Sequence, residues 1–144
     1  MNHEDKKAQG AESKTQRKAI DQAVERTASV LVDSAFLVHS ALGPGLLESV
    51  YETCLSYECE QRGLKVLKQV QLPIRYRDLQ IDSGLRLDLL VEEHLIVELK
   101  AVESLLPVHH AQLLSYLKLT GLRLGLLINF NVPLIKHGIH RIIL

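Results

Sequence analysis

From Ile20 onward the apolar residues Val24, Leu31, Ala35 and Val38 recur at helical spacing, and the run stops at LGPG, where Gly43, Pro44 and Gly45 break a helix. A second helical stretch, roughly Leu46 to Arg62, is closed by Gly63. Beyond it the texture changes to short β-rich runs, LKVLKQVQL and PIRYR, then a turn at RDLQ, then LRLDLLV and HLIVELK, which read as antiparallel strands. Pro107 opens a helix, VHHAQLLSYLKLT, that Gly121 closes, and LRLGLLINF and HRIIL supply two further strands. The order α, α, β, β, β, β, α, β, β predicts an α/β fold: a mixed β-sheet with the N-terminal helices on one face and the helix from about Val108 to Thr120 packed across it. Residues 1–18, MNHEDKKAQGAESKTQRK, are almost devoid of apolar side chains and read as a mobile polar tail, which leaves 19–144 as a single domain.

One strand departs from its own pattern. LIVELK has the composition of a buried central strand, yet it carries Glu98 and Lys100, which project from the same face while Leu99 faces the other way. If LRLDLLV and HLIVELK form a hairpin centred on Glu93, Asp88 lies directly opposite Glu98. Like charges in that position destabilise a sheet unless a divalent cation takes an oxygen from each, and magnesium fits. The ammonium of Lys100 beside them suits the negative charge that develops on a pentacovalent phosphate during phosphodiester hydrolysis. The spacing is equally compatible with a Glu98–Lys100 ion pair on a half-buried strand and Asp88 in a turn.

Charge narrows the partners only locally. Lysine plus arginine and aspartate plus glutamate each number 17, so no global cationic field marks a nucleic-acid binder. Between Gln61 and Arg77, however, Arg62, Lys65, Lys68, Arg75 and Arg77 stand without an acid among them, and no acid follows Ser104, so a polyanion has two basic segments to track. Ordinary solvated strand faces account for either segment taken alone. Among the tyrosines that are candidates for base stacking, Tyr57 is expected to pack between helices. Cys54 and Cys59 point to different faces of one helix, which disfavours a disulfide and places the protein in a reducing, cytoplasmic setting. The apolar runs, such as LGLLINF, fall far short of the ~20 residues of a membrane span. His109 and His110 are adjacent and His137 and His140 are three apart, but neither pair has a cysteine at zinc-ligand spacing; His109 or His110 reaches a substrate phosphate or is exposed.

With these residues in place, Asp88, Glu98, Leu99 and Lys100 resemble the signature of the PD-(D/E)XK nuclease superfamily, with Leu87 where the name has a proline. GPGLLESVYE, LRLDLLV, IVELKAVE, AQLLSYLKLTG and LGLLINF together look like the small GxxExxR proteins placed in that superfamily. The resemblance implies a restriction-endonuclease-like core and a magnesium-dependent nuclease, manganese being an alternative metal, with DNA favoured over RNA. It implies that Glu48, on an early helix, faces the metal site to hold a water or a second ion, although a glutamate in the first turn of a helix is favoured there by the dipole alone. It also implies that Gln112 and Tyr116, four apart on one helix face, orient the site and the nucleic-acid strand. Tyr51 departs from the pattern, standing where the family name has its arginine. Glu52 and Glu103 are expected to be solvated. The alternative function is a nuclease-fold module that binds nucleic acid or protein with little catalysis, and a homo-oligomer is compatible with either reading.

Overall fold

The computed structural model describes residues 19–144, so the tail expected over 1–18 lies outside the described residues. Helix α1 (Gln22–Leu42) begins where the Asp21 carboxylate accepts the N–H of Ala23 at 2.7 Å. Helix α2 (Glu48–Gln61) follows the Gly-Pro-Gly turn. Strands β1 (Val66–Tyr76), β2 (Leu79–Val91) and β3 (Leu95–Lys100) come next, then helix α3 (Pro107–Thr120), strand β4 (Leu124–Asn129), a single 3-10 turn at Ile135–His137 and strand β5 (Ile139–Ile143). Pro107 occupies the first turn of α3, and Gly121 closes the helix in the left-handed conformation, φ 75°.

The five strands lie in the order β1-β2-β3-β4-β5. Every neighbouring pair is antiparallel except β3 and β4, which are parallel and joined by the crossover helix α3. One face of the sheet packs against α1 and α2, where Leu31, Ala35, Tyr51 and Leu55 meet Val97, Leu99, Leu126 and Ile128. The other packs against α3, where Leu113 and Leu117 meet Ile96 and Leu127. A Cβ on Gly125 would lie 2.8 Å from the Leu113 side chain, so the glycine lets α3 settle directly on β4. Each fully buried leucine in these layers contributes about 1.5–3 kcal/mol. This is the mixed sheet with helices on both faces expected of a restriction-endonuclease-like core, in one domain.

Two runs expected as separate strands, LKVLKQVQL and PIRYR, form the single strand β1. Pro73 does not end it, because the ladder slips there: Leu72 pairs with Leu85 but Ile74 pairs with Ile81. A residue without an N–H is tolerated at such an irregularity, where no ladder bond is asked of it. The turn expected at RDLQ is present at Arg77–Asp78.

The β1–β2 ribbon also exchanges faces part-way along. In β2, Leu85 and Leu87 belong to the α3 core whereas Leu89 and Val91 belong to the α1/α2 core, although residues two apart share a face in a regular strand. β1 does the same, with Val66 against the α1/α2 core and Val70 and Leu72 against the other. The exchange falls at Gln69 and Asp88. Gln69 has φ 51°, and it is missing from the ladder between Lys68↔Leu89 and Val70↔Leu87, which places it opposite Asp88.

Candidate active site

β2 and β3 pair as Leu89↔Val97, Leu90↔Ile96 and Val91↔Leu95, so the hairpin is centred on Glu93 as the spacing required. The ladder stops one residue short of Asp88 and Glu98. In its place the two side chains interlock with the opposite backbone: Asp88 N–H donates to Glu98 Oε1 at 3.1 Å, and Leu99 N–H donates to Asp88 Oδ2 at 2.8 Å. Each carboxylate therefore spends one oxygen on the neighbouring strand. The two carboxyls also lie close enough to share a side-chain hydrogen bond with each other.

Burial drives the electrostatics of this pair. Glu98 is buried, and desolvation, followed by the charge of Asp88, pushes its carboxyl up to about 9, with a proton shared between the two carboxyls favouring the same direction. Two carboxylates that share a proton in poor solvent are also a pair that a cation can bridge. Lys100, half-buried two residues on, opposes the shift of Glu98 and also that of Glu48, so its ammonium lies within electrostatic reach of both. It is not the partner of Glu98 in an ion pair; the pairs formed among the described residues are Lys65–Glu93 and Arg141–Glu25.

The helices complete the surroundings. Glu48, in the first turn of α2, is half-buried and held above the usual carboxylate range by desolvation and then by Asp88. Glu52, one turn further, is not solvated as its sequence position implies. It is half-buried, its Oε2 accepts from Gln69 Nε2 at 2.7 Å, and desolvation raises it, with Asp88 adding in the same direction. Glu52 and Gln69 escape sequence reasoning because their contact spans the chain from α2 to β1 and depends on a left-handed glutamine that no local motif announces. From the other face, Gln112 Nε2 donates to the hydroxyl of Tyr116 at 2.8 Å; burial, then the charge of Glu98, raises that hydroxyl. Asp88 and Glu98 are thus in direct contact, Lys100, Glu48 and Tyr116 lie within electrostatic reach of one or both, and Gln112 is attached through Tyr116.

Tyr51 is fully buried and stacks on Phe130 with ring centroids 4.6 Å apart. Its hydroxyl donates to the carbonyl of Gly43 at 2.6 Å and accepts the N–H of Leu46 at 3.1 Å, fixing the turn that leads into Glu48. Phe130 N–H donates in turn to the carbonyl of Lys100 at 2.9 Å. A neutral aromatic thereby links the Glu48 helix to the end of the Lys100 strand.

The basic candidates are dispersed. Lys68, together with Arg86, lies within electrostatic reach of Glu52. Lys65 is engaged by Glu93 at 3.1 Å, an acid that is remote in sequence and brought back by the hairpin turn. Arg75 and Arg77 sit at the far end of the ribbon, where Arg77 lies over the ring of Tyr76, nine residues and about 30 Å along β2 from Asp88. Arg62 caps the end of α2. Tyr57, expected between helices, is 59% exposed, because the inward side of α2 is taken by Tyr51, Leu55, Ser56 and Cys59. Glu103 is exposed, as expected. His109 Nδ1 accepts the N–H of Leu106, and the ring of His110 meets that of His140 edge-on at 5.4 Å.

Among the described residues no three His, Cys, Asp or Glu side chains converge as a ready-made metal cage. The donor set fits a hard divalent cation in a different way, since magnesium is commonly held by one or two carboxylates and completes its shell with water and substrate phosphate. Also among the described residues, no helix is long and apolar enough to cross a membrane. Searches of curated proteins and of solved structures gave no match. The model of one family does match, over residues 25–142, a span that runs from α1 to β5 and contains every element of the site; the chain belongs to the PD-(D/E)XK nuclease superfamily.

Proposed function

We propose that the protein is a divalent-metal-dependent nuclease that hydrolyses nucleic-acid phosphodiester bonds, DNA in preference to RNA, in the manner of the GxxExxR proteins its segments resemble. The interlocked Asp88 and Glu98 carboxylates, at the point where the β2–β3 ladder opens, carry this reading. Asp88 and Glu98 would hold magnesium or manganese, with Glu48 facing the same position. The bound cation supplies Lewis-acid polarisation of the phosphate and activation of a water. Lys100 contributes a fixed positive charge where negative charge grows on the phosphate, in surroundings dry enough for that charge to act strongly. Tyr116, set by Gln112, offers a hydroxyl on the α3 side to orient the strand. Lys68 and Arg86 are placed to bind flanking phosphates, whereas Arg62, Lys65, Arg75 and Arg77 serve weaker, more distant contacts. Cys54 and Cys59 are free thiols, which agrees with a cytoplasmic setting.

Calorimetry with magnesium and manganese, paired with a cleavage screen over single-stranded, double-stranded and flapped substrates, tests the proposal. Metal binding and cleavage that both vanish in Asp88→Ala are expected. Nucleic-acid binding without metal uptake or cleavage would instead establish the fold as a binding module.

A further inference from the structure

Gln69 has no place in the chemistry above, yet three observations single it out. Its backbone is left-handed, φ 51°, at a residue with a side chain, a conformation that costs roughly 1 kcal/mol or more and persists only where the surroundings enforce it. It drops out of the β1–β2 ladder opposite Asp88, at the place where the ribbon exchanges faces. Its side-chain amide donates to Glu52 Oε2 at 2.7 Å. A glutamine in ordinary extended backbone would keep the alternation of the strand and present its side chain according to that alternation. The left-handed turn breaks the alternation, and the amide reaches α2.

We propose that Gln69 is a positioning residue that fixes Glu52 beside Asp88, so that the cation affinity of the Asp88–Glu98 pair is set in part by a glutamine that touches neither cation nor substrate. Glu52 acts through its charge, not as a ligand, and Gln69 acts through Glu52. The inference rests on the cation site proposed above. Partners hydrogen-bonded directly to metal ligands typically change metal affinity by about 10–100-fold when removed, and a residue acting one step further out is expected at the lower end.

Two variants separate the positioning role from a structural one. Gln69→Gly relieves the left-handed backbone while deleting the amide, and Glu52→Gln keeps an acceptor for Gln69 while deleting the charge. Manganese affinity is read by calorimetry, and melting temperature is read without metal. Each single variant is expected to bind manganese about 10-fold more weakly than the parent, and the double variant little more weakly than either single one. Gln69→Gly is expected to melt at or above the parent. Parental manganese affinity in Gln69→Gly, fully additive losses in the double variant, or a large fall in the melting temperature of Gln69→Gly each overturns the role. A parent that binds no manganese defeats the cation site itself, and this inference falls with it. When the parent binds manganese and Asp88→Ala abolishes that binding, the cation site stands and the Gln69 variants test the positioning role alone.

Discussion

Replacing Glu98 by glutamine removes the titrating carboxyl from the buried pair while retaining an oxygen to accept the N–H of Asp88, a bond that spans 3.1 Å in the parent. Glu98 is held up to about 9, against roughly 4.3 in an unfolded chain. Its folded value is the higher one, so the folded state binds the proton more tightly. The stability this confers is complete below the unfolded value and is lost as pH rises towards the folded one. At pH 7 the loss relative to acid is about 2.7 units at ~1.36 kcal/mol each, or up to ~4 kcal/mol, and sharing of the proton with Asp88 brings the expected range to about 2–4 kcal/mol. At pH 5 the same arithmetic leaves roughly 1 kcal/mol. Glu98→Gln does not titrate there and escapes this loss. Metal-free, it should melt higher than the parent at neutral pH, by roughly 6–12 °C at ~3 °C per kcal/mol for a chain of this size, with most of the advantage gone at pH 5. Magnesium should close the gap by stabilising the parent and not the variant, since it takes the place of the shared proton. Thermal melts of both proteins from pH 5 to 8, in chelator and in magnesium, read this directly. An advantage that does not grow with pH, or a variant less stable than the parent in chelator at pH 8, refutes the reasoning.

Two further substitutions probe neighbouring links. Lys100→Ala should leave metal and substrate binding nearly intact and lower turnover by about 100-fold or more, while melting near the parent in magnesium and below it in chelator, as single-turnover rates and thermal melts would show. Unchanged cleavage would remove Lys100 from the site. Tyr51→Phe keeps the stack on Phe130 but loses both hydroxyl hydrogen bonds, so denaturant unfolding should report a loss of about 1–3 kcal/mol, mainly from the stranded Gly43 carbonyl and Leu46 N–H. A variant as stable as the parent would show that water replaces the hydroxyl.

The readable and unreadable parts of this chain differ in range. Spacing alone places Asp88 and Glu98 opposite one another, because a hairpin with a short loop has few registers and alternating leucines and valines choose among them. The helices announce themselves through GPG, Pro107 and Gly121, which act within a turn or two of their own positions. Pro73 misleads because its usual meaning, the end of a strand, is suspended at a register slip that depends on the partner strand. Lys65 looks free in a basic run, and only the hairpin turn brings Glu93 against it. Glu52 looks solvated for the same reason, since its partner Gln69 arrives from another element. The stacking of Tyr51 on Phe130 is likewise illegible, because contact between residues so far apart along the chain leaves no periodic trace.

The exchange of faces at Gln69 and Asp88 bears on how the molecule opens as well as on how it is built. One ribbon contributes side chains to both hydrophobic layers and crosses the sheet plane at the acidic pair. Neither layer can peel away as an independent cooperative unit without pulling on that crossing. Amide protons on the two sides of the sheet should therefore exchange with solvent through shared, near-global opening events, in contrast to a scaffold whose layers fray separately. The acidic pair, although it interrupts the regular ladder, stands at a seam that stays shut until nearly everything opens.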